Sequence, residues 1–240
     1  MSRFPNAIAI SGHSHYSLTD ERQVWQGDFT SIGAGSLRFA FALYWRENGE
    51  DHNQVVKQMP CLYEGTSHGM FIRLFDDRMV IERREYVLGE KLGPDWEVPL
   101  DGRKEFAFAN RKAKAVAPEF EPGAQVELSV AKGKNRKGVE TDQITVSFPA
   151  ARPSSTSRVL DYEVRAIAFH EDQDYAVLTK RVLAEKFYLP VSREAPRGKC
   201  VFALSELPET ELVFEVRPVE CYGNKGRAIV SKPWRRGVKW

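Results

Sequence analysis

The sequence is poor in cysteine, lacks long apolar runs and carries no excess of one charge. Its 240 residues include three cysteines, Cys61, Cys200 and Cys221, with no Cys-x-x-Cys pair, so neither a zinc ribbon nor a redox pair is indicated. Pairing of Cys200 with Cys221 stays open, but three buried thiols are the simpler expectation. No stretch approaches the roughly 18 apolar residues of a membrane helix, so no membrane partner is expected. Balanced charge, 35 basic against 33 acidic side chains, gives no reason to expect a nucleic-acid partner.

Several common catalytic motifs are also missing. The chain contains no Gly-rich phosphate loop, no dinucleotide-binding fingerprint and no nucleophile elbow around its serines. The basic run Lys132–Lys137 has no interleaved aromatic residues, which argues further against nucleic-acid binding. Residues 1–5 do not resemble a secretory signal peptide, which for a C-terminal fragment would carry no information on localisation.

The remaining pattern is that of a mainly β protein. Up to about residue 100 the apolar runs are short, and Asp76-Asp77 between runs 69–75 and 78–86 predicts a β-hairpin. His68, just before that hairpin, is expected in an exposed loop. Past residue 110 apolar and polar residues alternate with period two, which predicts half-buried antiparallel strands packed as a β-sandwich. The alternating sets are Val126/Leu128/Val130, Ile144/Val146/Phe148, Tyr162/Val164/Ala166 and Leu212/Phe214/Val216.

The last hairpin of this region has the clearest signal. Residues 215–222 and 227–231 flank Gly223-Asn224-Lys225-Gly226, whose Gly and Asn tolerate the positive φ of tight turns. The hairpin resembles the last two strands of a fibronectin type III domain. That resemblance implies an immunoglobulin-like or fibronectin-like β-sandwich over residues 111–240, and a sandwich of this kind does not define a function.

The most informative stretch is Ser11-Gly12-His13-Ser14-His15, which follows the apolar run 7–10. Imidazole is the commonest side-chain ligand of transition metals, and two histidines at i and i+2 of extended chain point to the same side. His13 and His15 are therefore candidate metal ligands. The alternative is a polar loop whose imidazoles contact water and backbone.

The context of this loop resembles the last metal-binding motif, Gly-His-x-His, of the calcineurin-like metallophosphoesterases. The continuations 18–22, 25–33, 63–66 and 80–84 are similar to a bacterial branch of that family. The resemblance implies two neighbouring divalent ions (Mn, Fe or Zn) between two β-sheets flanked by helices. It further implies that His13 binds one ion and His15 the other, and that the run 7–10 is a strand buried on both faces.

The sequence departs from the family pattern in its remaining ligands. The Asp-x-His, Gly-Asp-x-x-Asp and Gly-Asn-His motifs would all precede Gly-His-x-His, and none is present; His52, His68 and His170 lie beside no matching Asp or Asn. We therefore expect residues 1–110 to be the C-terminal part of an α/β/β/α metallophosphoesterase domain. Its phosphate-ester hydrolysis would need an N-terminal half, supplied upstream or as a separate chain. Alone, the chain would be inactive and hold metal weakly or not at all.

Two interpretations follow from these patterns. The first is the metallophosphoesterase fragment, which would be extracellular or periplasmic if the upstream part carries a signal peptide and cytoplasmic otherwise. The second is a non-enzymatic β-rich binding module in which His13 and His15 are inert.

Overall fold

A computed structural model describes residues 4, 6–41, 62–63, 65–134, 138–154, 156, 158–170, 173–185, 187–193 and 196–237. The protein is mainly β, with almost half of its residues in strands, as the sequence predicts. The first nine strands are β1 (Ile8–Ser11), β2 (Val24–Gln26), β3 (Thr30–Gly33), β4 (Ala40–Phe41), β5 (Leu62–Tyr63), β6 (His68–Leu74), β7 (Arg78–Glu85), β8 (Glu90–Lys91) and β9 (Trp96–Pro99).

One α-helix lies within the described residues, α1 (Phe108–Lys114), and it is followed by seven more strands. These are β10 (Glu127–Lys134), β11 (Glu140–Pro149), β12 (Val159–His170), β13 (Gln173–Leu183), β14 (Arg197–Ala203), β15 (Leu212–Glu220) and β16 (Ile229–Val230). Short 3-10 turns cover Glu21–Gln23, Val191–Arg193 and Leu204–Glu206. No helix in the described part of the chain combines the length and apolarity needed to cross a membrane.

The second half of the chain is a two-sheet sandwich. One sheet has the order β10-β11-β14 and the other the order β13-β12-β15-β16, with all pairs antiparallel. The inward-facing members of the alternating sets, such as Val146, Val164 and Phe214, form one buried cluster between the sheets. The period-two alternation is thus explained by one face packing on the core while the other faces solvent. The antiparallel pairing of the predicted final hairpin is confirmed, with Val216 opposite Ile229, but the turn lies between Val219 and Lys225, which form a bridge, and thus begins before the predicted residues 223–226.

The first half is built from smaller sheets. β1, β3 and β2 form a sheet in that order, with β1 parallel to β3 and β2 antiparallel to it. β7 is flanked by β6 on one side and by β8 and β9 on the other, and the predicted hairpin through Asp76-Asp77 is confirmed. A core cluster that includes Ile32, Met79 and Trp96 joins the two sheets. β4 pairs antiparallel with β5, and residues 42–61 between them lie outside the described residues.

The two halves share no strand, but they contact each other at several points. α1 spans the predicted boundary at residue 110: Arg111 donates to Glu21 in the first half, and the Phe108 ring lies edge-on to Tyr222 in the second. The Asn224 side chain donates to two carbonyl groups at the end of α1. The division into domains 1–110 and 111–240 therefore stays a prediction.

Both described cysteines are buried, and they lie in different places. Cys200 belongs to the core of the sandwich, whereas Cys221 belongs to a smaller cluster with Phe187 and Tyr188. Burial in the apolar core raises the pKa of the Cys200 thiol to about 12, so this thiol is inert as a nucleophile. Cys61 lies outside the described residues.

Candidate functional site

The candidate histidine loop begins where β1 ends. β1 runs beside β3 with Ser11 opposite Gly33, and the Ser11 carbonyl accepts a hydrogen bond from Ala34 N–H at 2.8 Å. This bond fixes the end of the strand, so residues 12–15 leave the sheet edge from a defined point. Ser14 N–H then donates to the Gly12 carbonyl at 2.9 Å, which closes a tight turn inside the loop.

Both histidines have left-handed backbone. The φ angles are +70° at His13 and +55° at His15, and no other non-glycine residue within the described ranges has positive φ. Such conformations are uncommon for residues with a Cβ and concentrate at functional sites, where surrounding structure maintains them. The predicted reason for their proximity is therefore wrong: the two rings come together through a turn with alternating backbone handedness and not through extended chain.

The two imidazoles are close neighbours in different environments. Their ring centroids are 6.4 Å apart with the planes nearly perpendicular. His13 is exposed, whereas His15 is half-buried against the Phe39 ring, with centroids 4.2 Å apart. The Nδ1 atom of His15 is buried and has no hydrogen-bond partner among the described residues. An unpartnered buried ring nitrogen is costly, and either a metal ion or a hydrogen-bond partner matched to its tautomer would satisfy it.

These two imidazoles are the whole of the described donor set at the loop. No group of three or more His, Cys, Asp or Glu side chains suited to a metal ion occurs in the described part of the chain. His52 lies outside the described residues, and His170, the last residue of β12, has no described side chain. The loop can thus hold two neighbouring ligand atoms, which is less than the four to six ligands of a transition-metal ion.

His68 has a role that sequence reasoning missed. It was expected in an exposed loop, but it is the first residue of β6 and is only 1 % exposed. Its Nδ1 accepts a hydrogen bond from Leu18 N–H at 3.2 Å, and its Nε2 donates to the Tyr188 carbonyl at 2.8 Å. Burial lowers the pKa of His68 to about 4, against the opposing effect of the Tyr188 carbonyl. The neutral ring therefore bridges the two halves of the molecule.

A second buried polar cluster surrounds Glu21. Its two carboxylate oxygens accept hydrogen bonds from Arg83 at 3.1 Å, Trp96 Nε1 at 2.6 Å and Arg111 at 2.7 Å. The Arg83 guanidinium also stacks on the Trp96 ring at 3.9 Å and donates to the Leu18 carbonyl. Burial lowers the pKa of Arg83, and Glu21 opposes that effect. Because both oxygens of Glu21 already accept hydrogen bonds from within the fold, we interpret the cluster as structural.

The contacts that bury His68 and Arg83 are long-range and are not visible in local sequence. His68 and its partner Tyr188 are 120 positions apart, and Arg83 and Glu21 are 62 apart. Only the alternation around Arg83 in β7, which places it on the buried face, could have marked it. The Gly-His-x-His loop, by contrast, is local and could be found from sequence.

Comparison with known proteins adds no assignment. No protein-family model matches the chain, and no curated protein matches it. The function must therefore be argued from the loop and its surroundings.

Proposed function

We propose that this chain is the C-terminal part of a metal-dependent phosphoesterase in which His13 and His15 each bind one of two neighbouring divalent ions. The observation that carries the proposal is the buried, unpartnered Nδ1 of His15 beside His13, in a loop where both residues have left-handed backbone. Without a ligand, nothing at this loop would compensate the free-energy cost of the strained backbone and of the unsatisfied nitrogen. Each costs on the order of 1 kcal/mol or more.

The two residues fit one half of such a centre. A separation of 6.4 Å between ring centroids is compatible with one imidazole on each of two adjacent ions. The described residues offer no third ligand, so the fit requires further donors from another stretch of polypeptide. When bound, a pair of divalent ions supplies an activated hydroxide and stabilises the attacking and leaving oxygens of a phosphate ester.

The unpaired edge of β1 supports the proposal that a strand from another stretch of polypeptide lies beside it. Among the strands of the described residues, β1 pairs with β3 on one side only, and Ile10 near its end is 56 % exposed although it lies in an apolar run. The family resemblance predicts this strand to be buried on both faces. A strand from an N-terminal half, upstream in the gene or on a separate chain, would cover Ile10 and could bring the remaining metal ligands beside His13 and His15.

The residues of this chain would hold and orient the metal ligands. The Phe39 ring fixes the plane of His15, and the turn through Gly12 and Ser14 sets the distance between the imidazoles. The second half, with its sheets of three and four antiparallel strands, supports the fibronectin-like domain of the proposal. Its role would be structural or binding.

The alternative is a non-enzymatic β-rich binding module. It is favoured by the absence of a three-ligand group in the described part of the chain and by the enclosure of His68 and Glu21 in hydrogen-bonded contacts within the fold. In that case His13 and His15 would be inert loop residues.

The experiment joins the chain to the sequence encoded upstream of it and assays aryl phosphate hydrolysis with added Mn²⁺. We expect hydrolysis by the parent and a loss of more than about 100-fold in His13→Ala and in His15→Ala, since even changes to outer partners of metal ligands cost about 10- to 100-fold. Ser14→Ala is the matched control in the same loop and should retain the parent rate. Parent rates in both histidine variants would contradict the proposal, and an upstream sequence without Asp or His metal motifs would favour the binding module.

A further inference from the structure

Within the part of the chain that the structure describes, no strand pairs with the outer edge of β6. In its sheet β6 pairs only with β7, and Phe75 N–H donates to the Arg78 carbonyl at the end of the hairpin. Hydrogen-bonded and non-bonded pairs alternate along an antiparallel ladder. Counting back from Phe75, the N–H and C=O groups of Met70, Ile72 and Leu74 therefore point away from β7. Within the described ranges only Ser36 bonds to this edge, where its carbonyl accepts from His68 N–H at the start of the strand.

This edge lacks the usual protection against strand pairing. Exposed edge strands of monomeric proteins are normally short, interrupted by proline or bulges, or rich in charge. β6 has seven residues, no proline and a single charged residue, Arg73. Phe71 is 56 % exposed and Leu74 is 66 % exposed. A regular, apolar and unpaired edge of this kind is a template for another strand.

We propose that two copies of this chain associate through antiparallel pairing of their β6 strands. The inference is independent of the proposed metal centre, because β6 and the histidine loop lie in different sheets. The dimer would join the two sheets into one continuous sheet across a twofold axis, which is the commonest symmetry of oligomers.

Self-complementarity of the sequence selects one register. With Ile72 opposite its own copy, Met70 lies opposite Leu74, so all three outward-pointing residues of each strand exchange backbone hydrogen bonds. The same register places Arg73 opposite Phe71 on the solvent face, where a guanidinium and an aromatic ring attract each other. Arg73 is free to reach across, since its ion pair with Asp95 is exposed and 3.3 Å long.

The two neighbouring registers are unfavourable. A shift in one direction places Arg73 opposite Arg73, and like charges directly opposite each other are destabilising. A shift in the other direction requires the N–H of His68 as a donor to Leu74, but that N–H is already bonded to the Ser36 carbonyl. The central register is thus the one in which every free group of the edge finds a partner and no charges clash.

The test is sedimentation velocity of the full chain over a concentration series. We expect a reversible monomer–dimer equilibrium, and Ile72→Lys should weaken it by about tenfold or more because two ammonium groups would meet at the twofold axis. Val130→Lys is the matched control, since Val130 is also exposed on an edge strand but lies in the sandwich. A parent that stays monomeric at every concentration, or equal weakening by both variants, overturns the proposal.

A crosslinking experiment keeps the test decisive if Ile72→Lys does not fold. Opposed residues of a bonded antiparallel pair have Cα atoms about 5.5 Å apart, within disulfide range. In a Cys61→Ser background, Ile72→Cys should therefore form a disulfide dimer under mild oxidation faster than Arg73→Cys. The two Arg73 positions would be diagonal neighbours, about 7–8 Å apart. Equal rates, or faster crosslinking of Arg73→Cys, would rule out the proposed register.

Discussion

The left-handed backbone at both histidines predicts that glycine stabilises these positions more than alanine does, the reverse of the order at an ordinary position. At a position with positive φ, glycine avoids the steric cost of a Cβ, which is roughly 1–2 kcal/mol. Glycine also gives the unfolded chain more freedom, which offsets about 0.4–1 kcal/mol of that gain relative to alanine. The glycine variant at His13 or His15 should therefore exceed the corresponding alanine variant in unfolding free energy by about 0.5–1 kcal/mol.

Comparing glycine with alanine at the same position removes the contribution of the imidazole itself. At His15 both variants lose the same contact with Phe39, so the difference still reports the backbone. Ser14 lies between the two histidines and has no positive φ, so it is the internal control. There the order should invert, with alanine above glycine by about 0.4–1 kcal/mol.

The assay is urea unfolding followed by tryptophan fluorescence, with a chelator present so that metal does not contribute. Six variants, glycine and alanine at each of the three positions, give three differences. Alanine above glycine at all three positions would refute the assigned backbone of the loop. It would also remove the main structural support for a strained ligand site.

Two further predictions concern the buried networks. Because the folded pKa of His68 lies near 4 and the unfolded value near 6.5, the unfolded state binds more protons between these values, and stability falls as pH falls through that window. At pH 5 this group lowers the free energy of unfolding by about 2 kcal/mol. His68→Gln should therefore flatten the pH dependence of the urea midpoint between pH 7.5 and 5. An unchanged pH dependence would show that His68 is not buried in its neutral form. Glu21→Gln should lower the unfolding free energy by about 3–5 kcal/mol, because it leaves the buried Arg83 without its counter-charge. Glu90→Gln, which disrupts an exposed pair with Arg193, is the control and should change the unfolding free energy little. Equal losses of unfolding free energy in the two variants would refute a buried network.

The parts of the fold that follow from local periodicity could be predicted from sequence. Alternation in residues 144–148 and 212–216 reflects strands with one buried face, and Asp76-Asp77 marks a turn because short polar residues favour it. The proximity of His13 and His15 was also expected, but its cause, two left-handed residues around a tight turn, is a backbone property that spacing alone does not reveal.

The parts that depend on long-range pairing could not be predicted in this way. His68 has an ordinary loop context, and its burial involves contact with Tyr188, which follows 120 positions later in the chain. His68→Ala should therefore destabilise the fold, since that variant would leave the Leu18 N–H and the Tyr188 carbonyl without their partner. The metal role of His13 and His15 stays a prediction.

The most direct test of that role is a manganese titration of the chain itself, followed by long-range ¹H–¹⁵N spectra of its five imidazoles. Paramagnetic Mn²⁺ broadens the signals of nuclei close to it. Because this chain alone supplies one imidazole per ion, we predict that the His13 and His15 signals broaden only at millimolar manganese, but before those of the other histidines, and that His68 stays sharp. Uniform broadening of all the histidines, or broadening of His68 before His13 and His15, would contradict the proposed ligand role.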